Sequence, residues 1–424
     1  MNNILWLLVI YSIIICTFAI TMNDIKLTPM KKGIVGVQFL FVAFGATVLV
    51  PLLVGLDPST ALFTAGLGTF IFHLVTKGKV PIFLGSSFAF IAPIIAATKE
   101  WGMPGTLAGL TGVSLVYFIM SALVKWQGQK LLNRLFPPVV IGPVIILIGL
   151  TLSGSAVDMA KTHWILAIIS LTTAVIVLTF GHGLLKLVPV ICGIIVGYIA
   201  ACCMGLVDFS TVEAAPWFAL PTSISHFHLP EFSWQPFLFM IPVAIAPVIE
   251  HIGDVYVVSA VADKDFVKDP GLHRTLLGDG LACLAAALLA GPPVTTYSEV
   301  TGAMSITKIT NAFVIRIAAA TAIIFSVIGK LNALLQSIPS AVLGGIMLLL
   351  FGTIASVGIQ NLIQHHVDLN KTRNILIISI TLTTGIGGAI FSFGNFSMSG
   401  IGLSAIVGVF LNLVLPLDKE KATE

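Results

Sequence analysis

Charge is what this sequence has least of. Only 9% of its 424 residues are Asp, Glu, Lys or Arg, while 57% are hydrophobic and the mean hydropathy is +1.06. A soluble domain carries about 25% charged residues, so soluble enzymes and nucleic-acid-binding modules are excluded and an integral membrane protein remains. Cysteine is also scarce. Cys16, Cys192, Cys202, Cys203 and Cys283 all lie inside apolar runs and none forms a C-x-x-C pair. They read as small apolar residues, not disulfides or metal ligands. Short alternating strands at even spacing are missing too, which argues against an outer-membrane barrel.

What is present is a succession of apolar blocks separated by short polar breaks. About 20 residues are needed to cross a ~30 Å hydrocarbon core as a helix. The blocks predict fourteen spans, at 34–54, 59–76, 81–97, 104–124, 137–154, 163–181, 186–206, 236–260, 272–290, 293–307, 312–329, 338–356, 373–391 and 397–416. With the segment before the first span placed inside, only Lys99, Lys161 and Lys330 of the 21 basic residues fall on outer connections. The positive-inside rule therefore supports both the count and the orientation, with a cytoplasmic C-terminus. Residues 4–22 form a further apolar run. It has no preceding Lys or Arg and no clear small-x-small cleavage site, so it reads as a retained extra helix and not a signal peptide.

Two spans are unlike ordinary helices. "KVPIFLGSSFAFIAP" (79–93) and "GPPVTTYSEVTGAMSIT" (291–307) have Pro near the start and Gly, Ser and Thr where lipid-facing helices hold Leu. Each predicts a short extended stretch followed by a half-helix, tolerated at membrane depth only where protein or a cavity surrounds it. They are the third span of each set of seven. Interrupted segments at matching places in two halves point to a transporter site built on inverted repeats. Since seven is odd, a second set of seven must be inverted. The predicted organisation is an N-terminal segment at 1–25, a first repeat at 30–206, a connection at 207–235, a second repeat at 236–416 and a tail at 417–424.

Acidic side chains are rare inside the spans. Glu250 and Asp254 sit in the eighth and Glu299 in the broken tenth. A charge at the bilayer centre costs roughly 2.5–3.5 kcal/mol, so three of them predict a wet cavity with a task. Glu250 and Asp254 are i, i+4 and share one helical face, while His251 is turned 100° away and reads as a packing or interdomain hydrogen-bonding residue. Two carboxylates repel anions and suit cations or N–H donors. Half-helices starting near Ser86 and Ser298 add backbone N–H groups, which suit carbonyl oxygens. Together these describe an imide or ureide ring, as in a nucleobase, with Phe88, Tyr297 and Phe351 offering flat faces. Desolvation disfavours the charged form of a carboxyl, as exchange of a coupling proton requires. Tyr297 serves packing or base contact equally, and Phe351 fits a core at least as well as a site. Asp279, near the start of the ninth span, predicts a helix N-terminal role. The Glu250-His251-Asp254 spacing is not H-E-x-x-H, so no metal is predicted, and nothing calls for a cofactor.

At these residues the chain resembles a known family. "FGATVLVPLLVG" (44–55), "KGKVPIFLGSSFAFIAP" (77–93), "FPPVVIGPVIILIGL" (136–150), "KDPGLHRTLLGDGL" (268–281) and "TTYSEVTGAMSITK" (295–308) are similar to the nucleobase–ascorbate transporters, bacterial uracil permeases above all. The resemblance implies an all-α polytopic membrane protein of 14 transmembrane segments in 7+7 inverted repeats, with short strands in segments 3 and 10. It implies a transport core of spans 1–4 and 8–11, a gate of spans 5–7 and 12–14, and proton-coupled import by an elevator-like motion in the inner (plasma) membrane, often as a homodimer. By the same resemblance Glu250 hydrogen-bonds the base. Glu299 is the second binding glutamate, in a motif that here reads Tyr297-Ser298-Glu299. Ser87 and Phe88 meet the base from the third span, and Phe351 stands where uracil permeases have Tyr.

This sequence departs from that pattern in places. Uracil permeases read Glu-His-x-Gly-His in the eighth helix, and here Asp254 holds the last position, as in xanthine and urate carriers. Val300 replaces an Asn, and Gln38-Phe39 replaces Gln-His. Glu299 points back to uracil, since purine carriers tend to have Gln there. The reading is a nucleobase–proton symporter, uracil first and xanthine second, with Asp254 linked to Glu250 as the coupling pair. An anion exchanger or channel on the same fold is the rival, and it predicts a basic residue near the half-helix ends. A membrane enzyme would need a nucleophile with its base, and none is readable.

Overall fold

The structure, a computed structural model, describes residues 29–128, 134–182, 185–186, 188–221, 224, 232–393 and 396–416. The apolar run at 4–22, Cys16, the tail at 417–424 and most of 222–231 lie outside these residues.

The chain is predominantly helical. It opens with α1 (Pro29–Val54) and α2 (Pro58–Val75). Asp57 starts α2, accepting from Ser59 N at 3.1 Å with Pro58 in the first turn, so two orphan features of a helix start are met locally. Strand β1 (Leu84–Ser86) and a single 3-10 turn (Phe88–Phe90) lead into α3 (Ile91–Gln127), which is broken at Gly102, where φ is +70°. Then come α4 (Pro138–Lys161), α5 (Trp164–Phe180), α6 (Pro189–Cys203) and the short α7 (Ser210–Ala214).

The second half begins with α8 (Trp234–Val243) and α9 (Ile245–Ala262), followed by α10 (Leu272–Leu288), strand β2 (Val294–Thr296) and α11 (Ser298–Thr307). It continues through α12 (Ala312–Ser326), α13 (Gly329–Gln336), α14 (Ser340–Gln364) and α15 (Thr372–Ile386). A hairpin of β3 (Ile390–Phe393) and β4 (Phe396–Ser399) precedes α16 (Gly400–Val414). Among the described residues six helical stretches are long and apolar enough to cross a membrane, and α5, α6, α12, α15 and α16 are shorter apolar helices.

Three boundaries differ from the sequence reading. The predicted span 236–260 is two helices that meet at Ala244. Pro247 has no N–H for the carbonyl four residues back, and its ring crowds that carbonyl, so the helix restarts one turn before Glu250. The predicted spans 373–391 and 397–416 stop short of each other, because Gly387 and Gly388 (φ +65°) end α15 and the β3–β4 hairpin takes their place. The connection after 329 also contains an extra helix, α13.

The broken segments meet each other. β1 and β2 pair antiparallel, with Leu84 opposite Thr296, Gly85 opposite Thr295 and Ser86 opposite Val294. The ladder continues as Ser87 N donates to Pro293 O at 2.9 Å and Tyr297 N to Phe83 O at 3.2 Å. Around it, α10 packs along α2 and α3, α12 along α1 and α2, and α8 along α3. A second group forms where α14 packs on α4, α5 and α6, and α15 on α4 and α16.

Two of the outer basic residues have local partners. Lys161 lies 3.0 Å from Asp158, and Lys330 donates to the carbonyls of Val212 and Glu213 at 2.6 and 2.7 Å, in the last turn of α7. On the predicted inner side Arg373 does the same for α16, donating to Asn412 O at 2.7 Å and Leu415 O at 3.3 Å. A cation there satisfies carbonyls that a helix end leaves orphaned. Lys79 grips both oxygens of the exposed Asp269 at 2.6 Å, and this contact holds the Asp269 carboxyl below the usual carboxylate range.

The close approach of α10 to α3 depends on Gly280, where a Cβ would fall 2.7 Å from Tyr117 Cβ. By contrast, a Cβ on Gly253 of α9 would meet nothing within 4 Å. Gly280→Ala is expected to cost about 1–3 kcal/mol by overpacking. Gly253→Ala is expected to be neutral or to gain up to about 1 kcal/mol from helix propensity. Thermal unfolding of the two variants in detergent checks this contrast.

Candidate functional site

The site is built where α9 passes the β1–β2 ladder. Glu250 and Asp254 lie one turn apart on α9 just after the Pro247 restart. Glu250 is half-buried and Asp254 buried, and Gly253 is exposed on the same side of the helix. Across from them α11 begins at Ser298, with Glu299 in its first turn. Ser298 and Glu299 are exposed although Thr296, Tyr297 and Val300 beside them are buried, so this corner of the fold is open to its surroundings.

Asp254 joins the two elements. Its Oδ2 accepts from Thr296 Oγ1 at 2.7 Å and its Oδ1 from Ser298 Oγ at 2.6 Å. Both carboxylate oxygens are thus held by hydroxyls from β2 and the start of α11, so the aspartate ties α9 to the second broken segment. Among the described residues no hydroxyl holds Glu250 or Glu299 in this way, and the Glu299 carboxyl meets its own backbone N–H. The charge of Glu250 interacts with Asp254 and Glu299, which puts the three carboxyls within electrostatic reach of one another. Among the described residues no Lys or Arg pairs with any of the three.

The other broken segment supplies the opposite wall. Ser87 caps the 3-10 turn that opens the half-helix. It is 1% exposed, and its Oγ has no hydrogen-bond partner among the described residues. Phe88 next to it is half-buried. One residue separates each strand from its half-helix, and the two half-helices start at opposite ends of the ladder. Both expose backbone N–H groups with no intrahelical partner.

Tyr297 braces the ladder. Its hydroxyl donates to Ser86 O at 2.8 Å, its ring lies over Gly85 and 6.4 Å from the Phe83 ring, and it is 4% exposed. Ser86 in turn donates to Thr47 O at 2.9 Å, tying the strand to α1. Phe351 is 2% exposed and lies on α14, where its backbone packs on Gly149 of α4. The fold therefore brings Glu250, Asp254, Ser298 and Glu299 together, sets Ser87 and Phe88 at the facing half-helix, and puts Tyr297 within the ladder. Phe351 belongs to a helix of the other group.

Two partners escaped the sequence reading. Thr296 is one; its signal is a polar residue on the strand two positions before Ser298, which the pleat puts on the same face. Asp279 is the other, and the N-terminal role predicted for it is overturned. It lies well inside α10, fully buried, with Oδ2 3.1 Å from His251 Nδ1. The glycines on either side of it, Gly278 and Gly280, let α10 approach α2 and α3 closely enough to bury it.

Loss of one hydroxyl donor to Asp254 leaves a buried carboxylate oxygen unpaired, at about 1–3 kcal/mol. Thr296→Val is expected to lower the thermal midpoint accordingly, and Thr296→Ser to restore it, as read by unfolding in detergent.

Comparison with known proteins places this geometry. A sequence profile described as "Permease family", for xanthine and uracil permeases, matches residues 30–392. The chain is 50% identical over 403 residues to the probable uracil permease of Haemophilus influenzae, covering 93% of this chain and 96% of that one. It is 44% identical over 414 residues to the uracil permease of Bacillus subtilis, covering 94% and 95%. Among solved structures it resembles the transmembrane domain of a cyanobacterial bicarbonate transporter, BicA, with a TM-score of 0.59 at 13% identity, covering 92% of this chain and 99% of that one. It also resembles the murine Solute Carrier 26 family member A9 anion transporter in the inward-facing state, with a TM-score of 0.63 at 11% identity, covering 96% and 71%. At such identities these likenesses concern the fold alone, a membrane transporter fold of the 7+7 kind.

Proposed function

We propose a transport cycle from one premise: this chain belongs to the xanthine–uracil permease family, the nucleobase–ascorbate or nucleobase:cation symporter-2 transporters. It is a membrane transporter and not an enzyme. Our reading is that its cargo is a nucleobase, uracil first, imported with a proton. The observation that carries this is the pair of untied carboxyls, Glu250 and Glu299, without a cationic partner among the described residues, beside a buried and unpartnered Ser87 hydroxyl at a half-helix start.

In this reading Glu250 and Glu299 accept from the ring N–H groups. The half-helix N–H groups near Phe88 and Ser298 donate to the ring carbonyls, and Phe88 lies against the flat face. Tyr297 shapes the pocket from within the ladder, and Phe351 faces it from the gate. The Glu250/Asp254 pair takes up a proton from outside and the base binds between spans 3, 8 and 10. The core of spans 1–4 and 8–11 then slides against the gate of spans 5–7 and 12–14, and proton and base leave inside. The architecture we propose for this is fourteen spans as inverted repeats at 30–206 and 236–416, in the inner (plasma) membrane, with the C-terminus cytoplasmic and a homodimer as the assembly. No cofactor or metal takes part.

Anion transport is the rival that the structural neighbours raise, since both are anion carriers by name. Three carboxyls at the half-helix ends oppose it, because they would repel the cargo that a bare pair of helix N-termini attracts. Within the family, Asp254 keeps xanthine as the second reading.

The test is uptake of radiolabelled uracil into proteoliposomes under an inward proton gradient, challenged with unlabelled xanthine and an uncoupler. Uptake is expected to collapse with the uncoupler and to resist xanthine. Glu250→Gln and Glu299→Gln are each expected to lose roughly tenfold to a hundredfold in transport efficiency, the ~1.5–3 kcal/mol of a charged hydrogen bond. Normal transport by both variants overturns the site. Strong competition by xanthine moves the cargo to a purine.

A further inference from the structure

The buried pair His251 and Asp279 is not used by the cycle above. His251 follows Glu250 on α9 and is turned about 100° from it, into the seam between α2, α3 and α10. Its side chain and that of Asp279 are both 0% exposed, with Nδ1 3.1 Å from Oδ2. The ring is enclosed by Phe72 of α2 at 6.2 Å and Tyr117 of α3 at 6.4 Å, both edge-on. The contact is a charge approach and not a full hydrogen bond: Nδ1, Nε2, both Asp279 oxygens and the neighbouring Tyr117 hydroxyl have no hydrogen-bond partner among the described residues. The titratable groups around the pair are Tyr117, Cys283, Glu250 and Asp254.

A buried polar pair of this kind adds little net stability against an apolar replacement, but removal of one member strands the other. Its worth lies in fixing a register. α9 joins α8 at Ala244, whose backbone is itself helical. Two polar ties lie on one flank of Glu250: Asp254 to Thr296 and Ser298 and, further round the helix, His251 to Asp279. We propose that His251 and Asp279 are positioning residues that set the rotation of α9 and thereby aim Glu250 into the open corner of the fold. The tie uses the Nδ1 edge of the imidazole.

That edge gives the test its resolution. The amide nitrogen of Asn occupies the place of Nδ1, whereas that of Gln occupies the place of Nε2. The first readout needs no cargo: maleimide labelling at Gly253→Cys, an exposed position on the Glu250 side of α9, read by mass spectrometry so that native cysteines do not interfere. In this background His251→Gln and Asp279→Leu are expected to change the labelling rate at least about fivefold, the low end of stranding a buried polar group. His251→Asn is expected to stay within about twofold, since its amide nitrogen takes the place of Nδ1, whereas the double variant His251→Leu/Asp279→Leu, which strands nothing but has no tie, is expected to depart from the parent. In uptake, on the Gly253 parent, His251→Gln and Asp279→Leu should raise KM with a smaller change in maximal rate.

If Asn and Gln label alike, or if the double variant labels like the parent, the pair does not set the rotation of α9. Should Asp279→Leu fail to fold, the Asn–Gln comparison still decides. Only the uptake arm rests on the transport reading. A parent that carries no nucleobase refutes that reading, while the labelling still tests the tie.

Discussion

Everything at the site hangs on one constraint: a broken segment inside a membrane protein must find partners for its backbone. In hydrocarbon an unsatisfied N–H or C=O costs several kcal/mol. The segments at 84–86 and 294–296 solve this by pairing with each other. Neither could leave its helix alone, because each is the other's hydrogen-bond complement. Side chains reinforce the ladder where the backbone pairing ends. Tyr297 donates to Ser86 O, Ser86 to Thr47 O, and Cys283 to Val294 O at 3.0 Å. The reward for breaking two helices at one level is two half-helix N-termini, with free N–H groups, held by a rigid ladder rather than by loops.

The carboxyls complete this arrangement by asymmetry. Asp254 is fully engaged by Thr296 and Ser298, and so belongs to the scaffold as much as to the site. Glu250 and Glu299 are left with unclaimed acceptor capacity next to unclaimed backbone donors. A donor-poor, acceptor-rich pair of side chains facing N–H groups selects a cargo that is itself half donor and half acceptor. A halide offers only acceptor capacity, and bicarbonate, with a single O–H donor, still brings its negative charge against the carboxyls. The same fold can therefore serve the anion carriers it resembles at 11–13% identity and a nucleobase carrier here, with the difference residing in a few side chains at the ladder.

Much of this was readable in the sequence. Pro, Gly, Ser and Thr in 79–93 and 291–307 announce non-helical backbone, because no lipid-facing helix is built of them. Acids are so rare in the spans that Glu250, Asp254 and Glu299 could hardly be overlooked. What stayed hidden has physical causes. The restart at Ala244 follows from Pro247, but an apolar run with Pro inside a membrane span is ambiguous, since neighbouring helices often absorb a kink. The β3–β4 hairpin is apolar enough to pass for helix ends. Asp279 was misread because its distance from the start of a span says nothing about which side of the helix it occupies. Its flanking glycines were the better signal, since they mark where α10 comes closest to its neighbours.

Position 254 shows why a motif has to be read together with its surroundings. Where uracil permeases resemble one another in having His, this chain has Asp, which taken alone suggests a purine carrier. Here the Asp is met by Thr296 and Ser298, two hydroxyls that can each donate to a carboxylate oxygen. Ser298 supplies the donor that Oδ1 takes. A His at 254 would not need two donors, and a Gly at 298 could not provide one. The substitution is then a change in how α9 is tied to the second broken segment, compensated locally. In the proposed cycle Glu250 and Glu299 keep the chemistry that a uracil ring requires. On that argument cargo identity follows the untied acids, and the tied one reports on the scaffold.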